Sequence, residues 1–549
     1  MLCRGTGRPL VNVVRRYSGV LICLCGLALF VQFGLIRVIG HHYNPGEMLP
    51  AARLALSAQR ALLDGQFPLQ FANDYAIALQ PIFLYYTPVF YGLAAVAQIV
   101  SGCDPYDSLL VGVAFMVAST VAGVYRTIRA LGGDEIASGI AAASLPFVPY
   151  FLTDVFTRTS YAELSAWAAY PWMAFFLVRF CQLPRWQPAV GLILSTALYI
   201  MCHKIFLGWG VIFLAVFAVA WLGWRPVLAL APALLLVLAA ALGLSAPYWV
   251  NAFLIAKSLN IGDTISSAAY GSLTSSLSVL WPFPFTHPSL KEQYKNFSLQ
   301  LGPPALFALI FGWGYVRENG AIRAALLVTA VALLFACSFF VMPQIWLYMP
   351  TPLTVIQFPY RLLLFAATFG AIGFGLYIAA LMRVAPPLAY ASCMLVLAML
   401  LGFWWQVPLS PNIPGEIDGI AISGSEVYFE KADAVLPEPV AVPSRDAVQA
   451  RGNTVTATLN IDSGGLTVLP VQYSRLLVAE LNAAPATIFN ANGLVAMQLV
   501  PGVAEIRIRR IEVVGFGTGL LVALFAAAGL IPLLRERAGR RVPLRLKFI

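Results

Sequence analysis

Three basic residues of this chain lie at places where membrane topology does not require a positive charge. Arg158, Lys204 and Arg361 all fall at predicted outer ends of long apolar stretches. A charge inside a membrane helix costs roughly 2.5 to 3.5 kcal/mol on insertion scales, so such residues usually have a partner or a task. We predict that they bind phosphate, together with His203, the neighbour of Lys204. The alternative is that the three long side chains extend to lipid headgroups.

Two carboxylates could act as a general base beside such a phosphate site. Glu47 lies just past the first apolar stretch, where partial removal from water favours proton acceptance. Asp74 lies in the polar sequence NDY. The alternatives are a solvated helix cap for Glu47 and a turn-forming role for Asp74. Glu163, five residues after Arg158, is predicted to be the ion-pair partner of that arginine.

The composition identifies the class of protein that must position these residues. Hydrophobic residues make up 60% of the 549 residues and charged residues 11%, and the mean hydropathy is +0.81. This balance is typical of an integral membrane protein. Because a span needs about 20 apolar residues, the sequence predicts a mainly α-helical fold with about twelve transmembrane helices. They lie near 17–39, 108–128, 136–152, 163–179, 187–202, 206–223, 226–249, 302–316, 324–342, 361–382, 386–405 and 513–534.

Basic residues predict the orientation, since they accumulate in short cytoplasmic loops. With the N-terminus inside, the later basic loops and the basic C-terminal tail also fall inside. If a further apolar stretch, 83–101, also crossed the membrane, the later basic loops would all fall outside. We therefore expect it to lie in the outer interface or to form a re-entrant hairpin. The predicted location is a bacterial cytoplasmic membrane, with both termini in the cytoplasm.

Three predicted outer segments are too long to be simple connectors. They cover 40–107, 250–300 and 406–512. The first begins with an amphipathic pattern in which Leu54 and Ala58 recur at helical spacing, Arg53 lies elsewhere on the surface, and Gly65 ends the helix. This pattern predicts a helix at the membrane interface.

The third outer segment changes character. NTVTATLNID and AEIRIRRIEV alternate at period two, and Asn492-Gly493 is a tight-turn signal. The sequence thus predicts a transmembrane domain over 1–405, an extracytoplasmic sandwich-like β-domain over 406–512, and a last helix with a basic tail over 513–549.

Several short motifs resemble a known group of membrane proteins. The stretch LLDGQFPLQFANDYAIALQPIFLYYTPVFYGLAAV resembles the first outer loop of YfhO-like bacterial proteins and, more distantly, of the GT-C class of polyprenyl-phosphate-sugar-dependent glycosyltransferases. In that group an interfacial helix ends in a G-x-F/Y-P turn, which an aromatic stretch and an apolar hairpin follow. FTRTSYAE, CHK and QFPYR resemble later elements of the same group, and so does a C-terminal β-domain followed by one last helix.

The resemblance implies a sugar transfer on the outer face, from a lipid-linked donor to a glycan or lipid acceptor, with inversion. It implies that Glu47 or Asp74 is the base and that Arg158, Lys204 and Arg361 hold phosphate. The chain departs from the group at Asn44, where an Asp is usual, so either Glu47 substitutes or the acidic role is missing.

Two other functions stay open, a polytopic transporter or flippase and a non-catalytic glycan-assembly protein. A transporter would have little use for the long outer loop and the β-domain, and no paired similar halves are visible. Membrane lipids are expected partners, whereas nucleic acid is not, because the arginines are spread over many loops. The sequence shows no metal-ligand spacing and requires no cofactor, although it leaves a divalent cation open.

Overall fold

The structure is a computed structural model of the chain. It describes residues 7–32, 45–73, 77–256, 280, 299–341, 346, 348–350, 353, 356, 358–405, 439, 441–511 and 513–538. Within helices, the side chains of 7–16, 45–49, 256, 338–341, 405, 445 and 536–538 are outside this description. Glu47 is therefore described only as part of a helix, and Asp74 lies outside the described residues, as does most of the predicted outer segment 250–300.

Helices form most of the described chain, because long apolar stretches can satisfy their backbone inside a membrane only by internal hydrogen bonds. Their bounds are Gly7–Phe30, Pro45–Leu63, Ile82–Tyr85, Pro88–Ser101, Pro105–Ala130, Glu135–Ser144, Pro149–Leu152, Tyr161–Gln182, Trp186–Cys202, Leu207–Leu222, Trp224–Ala256, Pro303–Phe311, Gly320–Val341, Leu363–Val384, Pro386–Trp405 and Phe516–Ala538.

Eight described helices are long and apolar enough to cross a membrane, or up to nine if a bent helix pair counts as one span. The bent pair consists of Glu135–Phe147 and Pro149–Thr157, which meet at 46°. The chain is thus a multi-pass, mainly α-helical membrane protein. The helix Leu363–Val384 lies at its centre, since nearly all of its side chains are buried.

One predicted span is more broken than the apolar pattern suggested. The stretch 302–316 consists of helix Pro303–Phe311 and a 3₁₀ turn, Gly312–Tyr315. Helix Trp186–Cys202 has 17 residues, which matches its apolar stretch. Hydropathy reports apolar length and is insensitive to such breaks.

The apolar stretch 83–101 is also not one long helix. Helix Ile82–Tyr85 ends before Thr87, and helix Pro88–Ser101 begins there with Thr87 as its N-cap. The second helix has 14 residues, which at 1.5 Å per residue reach about 21 Å and fall short of the ~30 Å hydrocarbon core. Its length suits the interfacial or re-entrant placement predicted from the arginines.

The helix that was predicted to lie at the membrane interface is Pro45–Leu63, and Gly65 follows it in the left-handed conformation (φ 80°). Leu54 and Ala58 are buried, as their spacing predicted. The expectation for Arg53 was wrong. Its side chain is only 3% exposed because this helix packs against the helices Pro88–Ser101 and Pro105–Ala130 and leaves little free surface.

The C-terminal domain is an antiparallel β-structure of two sheets. Its strands are β1 (Val448–Arg451), β2 (Thr454–Ile461), β3 (Gly465–Gln472), β4 (Leu477–Leu481), β5 (Ala484–Ala486), β6 (Phe489–Ala491), β7 (Leu494–Leu499) and β8 (Gly502–Arg510). One sheet has the order β1-β2-β8-β4-β5 and the other β3-β7-β6. Burial alternates along β2 and β8, as the period-two pattern predicted.

The tight turn between β6 and β7 also matches its sequence signal. Asn492 and Gly493 have φ values of 52° and 88°, the pair of positive values that a type I′ hairpin turn requires. Leu494 then pairs with Ala491 across the hairpin.

A ribbon from the first outer loop joins this β-domain to the helices. We define the ribbon as residues 70–73 and 77–83, whose two arms pair at Ala72 and Gln80. Ala78 adds to the edge of β3 through two backbone hydrogen bonds, to Pro470 and Gln472, each 2.9 Å long. Ala78 and Leu79 are fully buried in the β-domain core. The β-domain therefore completes its core with residues from a loop nearly four hundred positions earlier in the chain.

Candidate anion-binding site

The site begins where the bent helix pair ends. After Leu152 the helix widens into a π-helical turn, Thr153–Thr157, and the backbone N–H of Arg158 donates to the carbonyl of Thr153 at 2.8 Å. Such turns are rare and often occur at functional sites. Thr159 then adopts φ 46°, which lets the chain reverse into helix Tyr161–Gln182. This tight reversal brings the first turn of the new helix, with Glu163, against Arg158.

Arg158 is held by two buried carboxylates. Its Nη1 atom lies 2.6 Å from Asp154 Oδ1 and 3.0 Å from Glu163 Oε2, and its Nη2 atom lies 2.8 Å from Glu163 Oε1. Burial alone lowers the pKa of Arg158, but Glu163, Tyr360 and Asp154 raise it well above its usual value. The guanidinium is thus a permanent cation with a fixed orientation.

Each of the two carboxylates also accepts a hydrogen bond from a neutral donor. Trp167 Nε1 donates to Asp154 Oδ2 at 3.0 Å, and the Tyr150 hydroxyl donates to Glu163 Oε2 at 2.7 Å. Both carboxylates are fully buried. Because every oxygen of the pair accepts at least one hydrogen bond or faces a guanidinium, Asp154 and Glu163 hold cations and are not free to take a proton from a substrate.

Arg361 joins the same cluster from another part of the chain. It lies in the 3₁₀ turn Pro359–Leu362, and its Nε is 2.7 Å from Glu163 Oε1. This contact is an ion pair without hydrogen-bond alignment, whereas Nη1 donates to the carbonyl of Ile356 at 3.2 Å. Its guanidinium lies 5.0 Å from the ring centre of Phe358, and that of Arg158 lies 5.2 Å from the ring centre of Tyr360.

His203 and Lys204 come from a third element, the break between helix Trp186–Cys202 and helix Leu207–Leu222. Burial lowers the pKa of His203, and the charge of Arg361 lowers it further, so the imidazole is neutral at pH 7 and offers hydrogen bonds rather than charge. The Lys204 ammonium donates to the backbone carbonyl of Leu84. In the part of the chain that the structure describes, it has no carboxylate partner.

The cluster has a buried, acidic side and a more accessible, basic side. The carboxylate side chains are 0% exposed, whereas the Arg158 and Arg361 side chains keep 14% and 11% exposure, and His203 and Lys204 are half-buried. Arg158 and Arg361 face the two carboxylates, and Lys204 lies in the helix break beside His203. Because both guanidinium side chains stay partly accessible next to His203 and Lys204, this arrangement is suited to bind an anionic group such as phosphate.

The structure therefore brings together Arg158, Glu163, Lys204, His203 and Arg361 from three separate regions. It leaves the two candidate bases without side-chain geometry, since Glu47 and Asp74 are not described at that level. Sequence reasoning missed Asp154, Trp167 and Tyr150. A signal existed for Asp154, an acid inside the apolar stretch FLTDVFT and four residues before Arg158.

No group of three or more His, Cys, Asp or Glu side chains that could hold a metal occurs among the described residues. Since both oxygens of Asp154 and of Glu163 already have donors, this acidic pair is also not arranged as a set of open metal ligands.

Solved structures that resemble this chain are membrane glycosyltransferases at low similarity. The arabinofuranosyltransferase AftD from mycobacteria has 18% identity and a TM-score of 0.41, over 73% of this chain and 28% of that chain. The oligosaccharyltransferase from Archaeoglobus fulgidus has 13% identity and TM-scores of 0.43 in its apo form and 0.44 as AglB with an inhibitory peptide and a dolichol-phosphate, over 72% of this chain and 55% of that chain.

This chain thus spans less than two thirds of the length of these solved chains. No protein-family model and no curated protein matches the sequence. The function proposed below accordingly rests on the ion cluster and not on these similarities.

Proposed function

We propose that this protein is a membrane glycosyltransferase that takes a sugar from a polyprenyl-phosphate donor and transfers it to an envelope glycan or lipid on the outer face. The observation that carries the proposal is the convergence of Arg158 and Arg361 on two buried carboxylates, with both guanidinium side chains partly accessible and Lys204 in the adjoining helix break. A phosphate group would be held by these three basic side chains. The motif resemblance of the first outer loop supports the transfer chemistry.

The proposed reaction is a single displacement with inversion. The acceptor hydroxyl oxygen forms a bond to the anomeric carbon while the bond from that carbon to the phosphate oxygen breaks, and the electron pair stays on the phosphate. Lys204 and the two arginines stabilise the negative charge that develops there. The acceptor proton passes to a carboxylate, for which Glu47 and Asp74 are the candidates.

Asp154 and Glu163 have a different task in this proposal. They keep Arg158 and Arg361 charged and oriented before the donor arrives, so that the phosphate meets fixed donors. Such preorganisation lowers the reorganisation needed during the reaction. The hydrogen bonds from Trp167 and Tyr150 fix the carboxylates in turn.

The test is a set of acid variants, assayed for donor binding and for transfer of a labelled sugar by the purified protein in lipid. Glu47→Gln keeps the shape but removes the proton acceptor, so turnover should fall roughly 10²- to 10⁴-fold with donor binding nearly intact. Asp74→Asn is measured beside it, and Asp64→Asn, an exposed acid of the same loop, is the matched control. Arg361→Ala should weaken donor binding as well as turnover, because phosphate contacts operate in both the bound and the transition state.

Two outcomes would change the proposal. Full activity of Glu47→Gln would transfer the role of base to Asp74. Full activity of both acid variants would show that another group is the base. Donor binding without any transfer by the unmodified protein would favour a non-catalytic protein that binds lipid-linked phosphate.

A further inference from the structure

The ribbon of the first outer loop has two different faces. In an antiparallel pair, directly opposite residues and residues two apart share a face. Ala72 is opposite Gln80, so Gln70, Ala72 and Gln80 project on one face. Phe71 and Asn73 project on the other, whereas the positive φ of Leu79 (57°) breaks the alternation, and Ala78 and Leu79 both enter the β-domain core.

The second of these faces packs on the β-domain. The guanidinium of Arg510 lies 4.4 Å from the ring centre of Phe71, and Asn73 Nδ2 donates to the carbonyl of Gly452 at 2.8 Å. Leu79 is part of the β-domain core. Phe71 also packs against Tyr248 and Ala252 of helix Trp224–Ala256. Ala72, which shares a side of the ribbon with Gln70 and Gln80, is buried in the core that the helices form, so this glutamine face is turned toward the helices.

The two glutamines on that face have unused hydrogen-bonding capacity. Gln70 is fully buried and Gln80 is 5% exposed. Neither amide atom of Gln70 nor Oε1 of Gln80 has a hydrogen-bond partner in the described part of the chain. Buried polar side chains in folded proteins almost always have partners, so two unsatisfied amides on one face indicate a ligand that is not present.

The chemistry of these atoms restricts the ligand. Gln70 offers a donor and an acceptor, and Gln80 offers an acceptor. Two free acceptor oxygens would repel a phosphate oxygen, whereas a hydroxyl group both donates and accepts. The amides therefore suit a neutral, hydroxyl-rich group.

The amides also lie close to the candidate phosphate site. The carbonyl of Gln70 accepts a hydrogen bond from the backbone N–H of Phe83 at 3.2 Å, and the next residue, Leu84, supplies the carbonyl that Lys204 binds. The path from the Lys204 ammonium to the Gln70 carbonyl oxygen consists of the hydrogen bond to Leu84, one residue of backbone, and the hydrogen bond from Phe83. Its length is about 10 Å. Hydroxyls of a monosaccharide attached to a phosphate at Lys204 would fall in this range.

We propose that the glutamine face of the ribbon is the sugar subsite of the donor, with Gln70 and Gln80 hydrogen-bonded to sugar hydroxyls. The proposal rests on the proposed function and adds the group that selects the sugar. Because both amides are enclosed, the ribbon must move away from the helices to admit the sugar.

The experiment measures binding of lipid probes to the full chain in nanodiscs. The probes are a short polyprenyl phosphate without sugar and the same lipid carrying glucose, galactose or mannose. Unmodified protein should bind at least one glycosylated probe about tenfold more tightly than the bare lipid, and Gln70→Leu and Gln80→Leu should each remove most of this difference. Affinity for the bare lipid should stay within about twofold of the unmodified protein.

Controls separate the sugar subsite from folding and from the phosphate site. Ser138→Ala removes another buried hydroxyl without a described hydrogen-bond partner, at the far end of the bent helix pair, and should leave the sugar preference unchanged. Both leucine variants should keep the thermal midpoint, since leucine matches glutamine in size and removes an unsatisfied group.

The proposal is overturned if the leucine variants keep the sugar preference, or if the unmodified protein prefers none of the three sugars. Failure of the phosphate site would look different. In that case the bare lipid would not bind, while any sugar preference would still depend on Gln70 and Gln80.

Discussion

The two ends of the bent helix pair carry ionic contacts of opposite character. At the start, Arg129 Nη2 lies 2.8 Å from Glu135 Oε1, one cation faces one acid, and their side chains are 36% and 22% exposed. At the other end, Arg158 faces two fully buried acids in a cluster that Arg361 also joins.

The comparison shows what separates a structural ion pair from a candidate site. An exposed, balanced pair is screened by water and contributes little. A buried cluster of several charges is costly to remove from water, so it persists where a ligand binds it or where its geometry is used. Burial and the convergence of several charges, rather than the presence of an ion pair, therefore point to the second end.

The largest effect is expected for the side of the membrane from which an introduced cysteine can be labelled, because that labelling is all or none. In a cysteine-free background, a cysteine at the exposed position Asp104 should react with an impermeant thiol reagent only from outside, and one at the exposed position Glu318 only from inside. The measurement is labelling of intact and opened cells. Reaction of position 104 from the cytoplasmic side would contradict the orientation and would remove the basis for calling the cluster outer.

The next effect is on stability. Glu163→Gln leaves Arg158 and Arg361 with less buried countercharge and should lower the free energy of unfolding by about 3 to 5 kcal/mol, whereas Glu135→Gln should lower it by at most about 1 kcal/mol. Unfolding in detergent, followed by thermal or denaturant titration, measures both. Equal losses would show that the two ends do not differ as their burial implies.

A smaller effect is expected from the support of Asp154. Trp167→Phe keeps the ring but removes the donor to Asp154 Oδ2, leaving a buried oxygen unpaired at a cost of about 1 to 2 kcal/mol. Trp172→Phe is the matched control on the same helix, because Trp172 Nε1 donates to Ser119 at a half-buried position. The same unfolding assay applies, and a larger loss for Trp172→Phe would argue against the buried network.

Much of the architecture could be predicted from the sequence, because its signals are local. Apolar length marked the helices, alternation marked β2 and β8, and Asn492-Gly493 marked a turn. The cations Arg158, Lys204 and Arg361 stood out against apolar surroundings, and the same contrast made Glu163 visible as a neighbour.

Other features have no local signal. The docking of Ala78 on β3 and of Arg510 on Phe71 joins segments about four hundred residues apart, and nothing in either segment indicates the other. The breaks inside 302–316 and 83–101 depend on packing and proline positions that hydropathy averages away. Asp154 did stand out as an acid in an apolar stretch, but its alignment with Arg158 depends on a π-helical turn, which sequence patterns do not reveal.

The proposed phosphate site at the buried end is tested most directly by equilibrium binding of bare polyprenyl phosphate to the chain in nanodiscs. Lys204→Met removes the basic side chain of this proposed site that has no carboxylate partner among the described residues, and Arg129→Gln removes a cation from the exposed pair. Lys204→Met should weaken binding by about tenfold or more, the value of a charge-assisted hydrogen bond, while Arg129→Gln leaves it unchanged. Equal affinity of the unmodified protein and Lys204→Met, or equal losses in both variants, would contradict a phosphate site at the buried cluster.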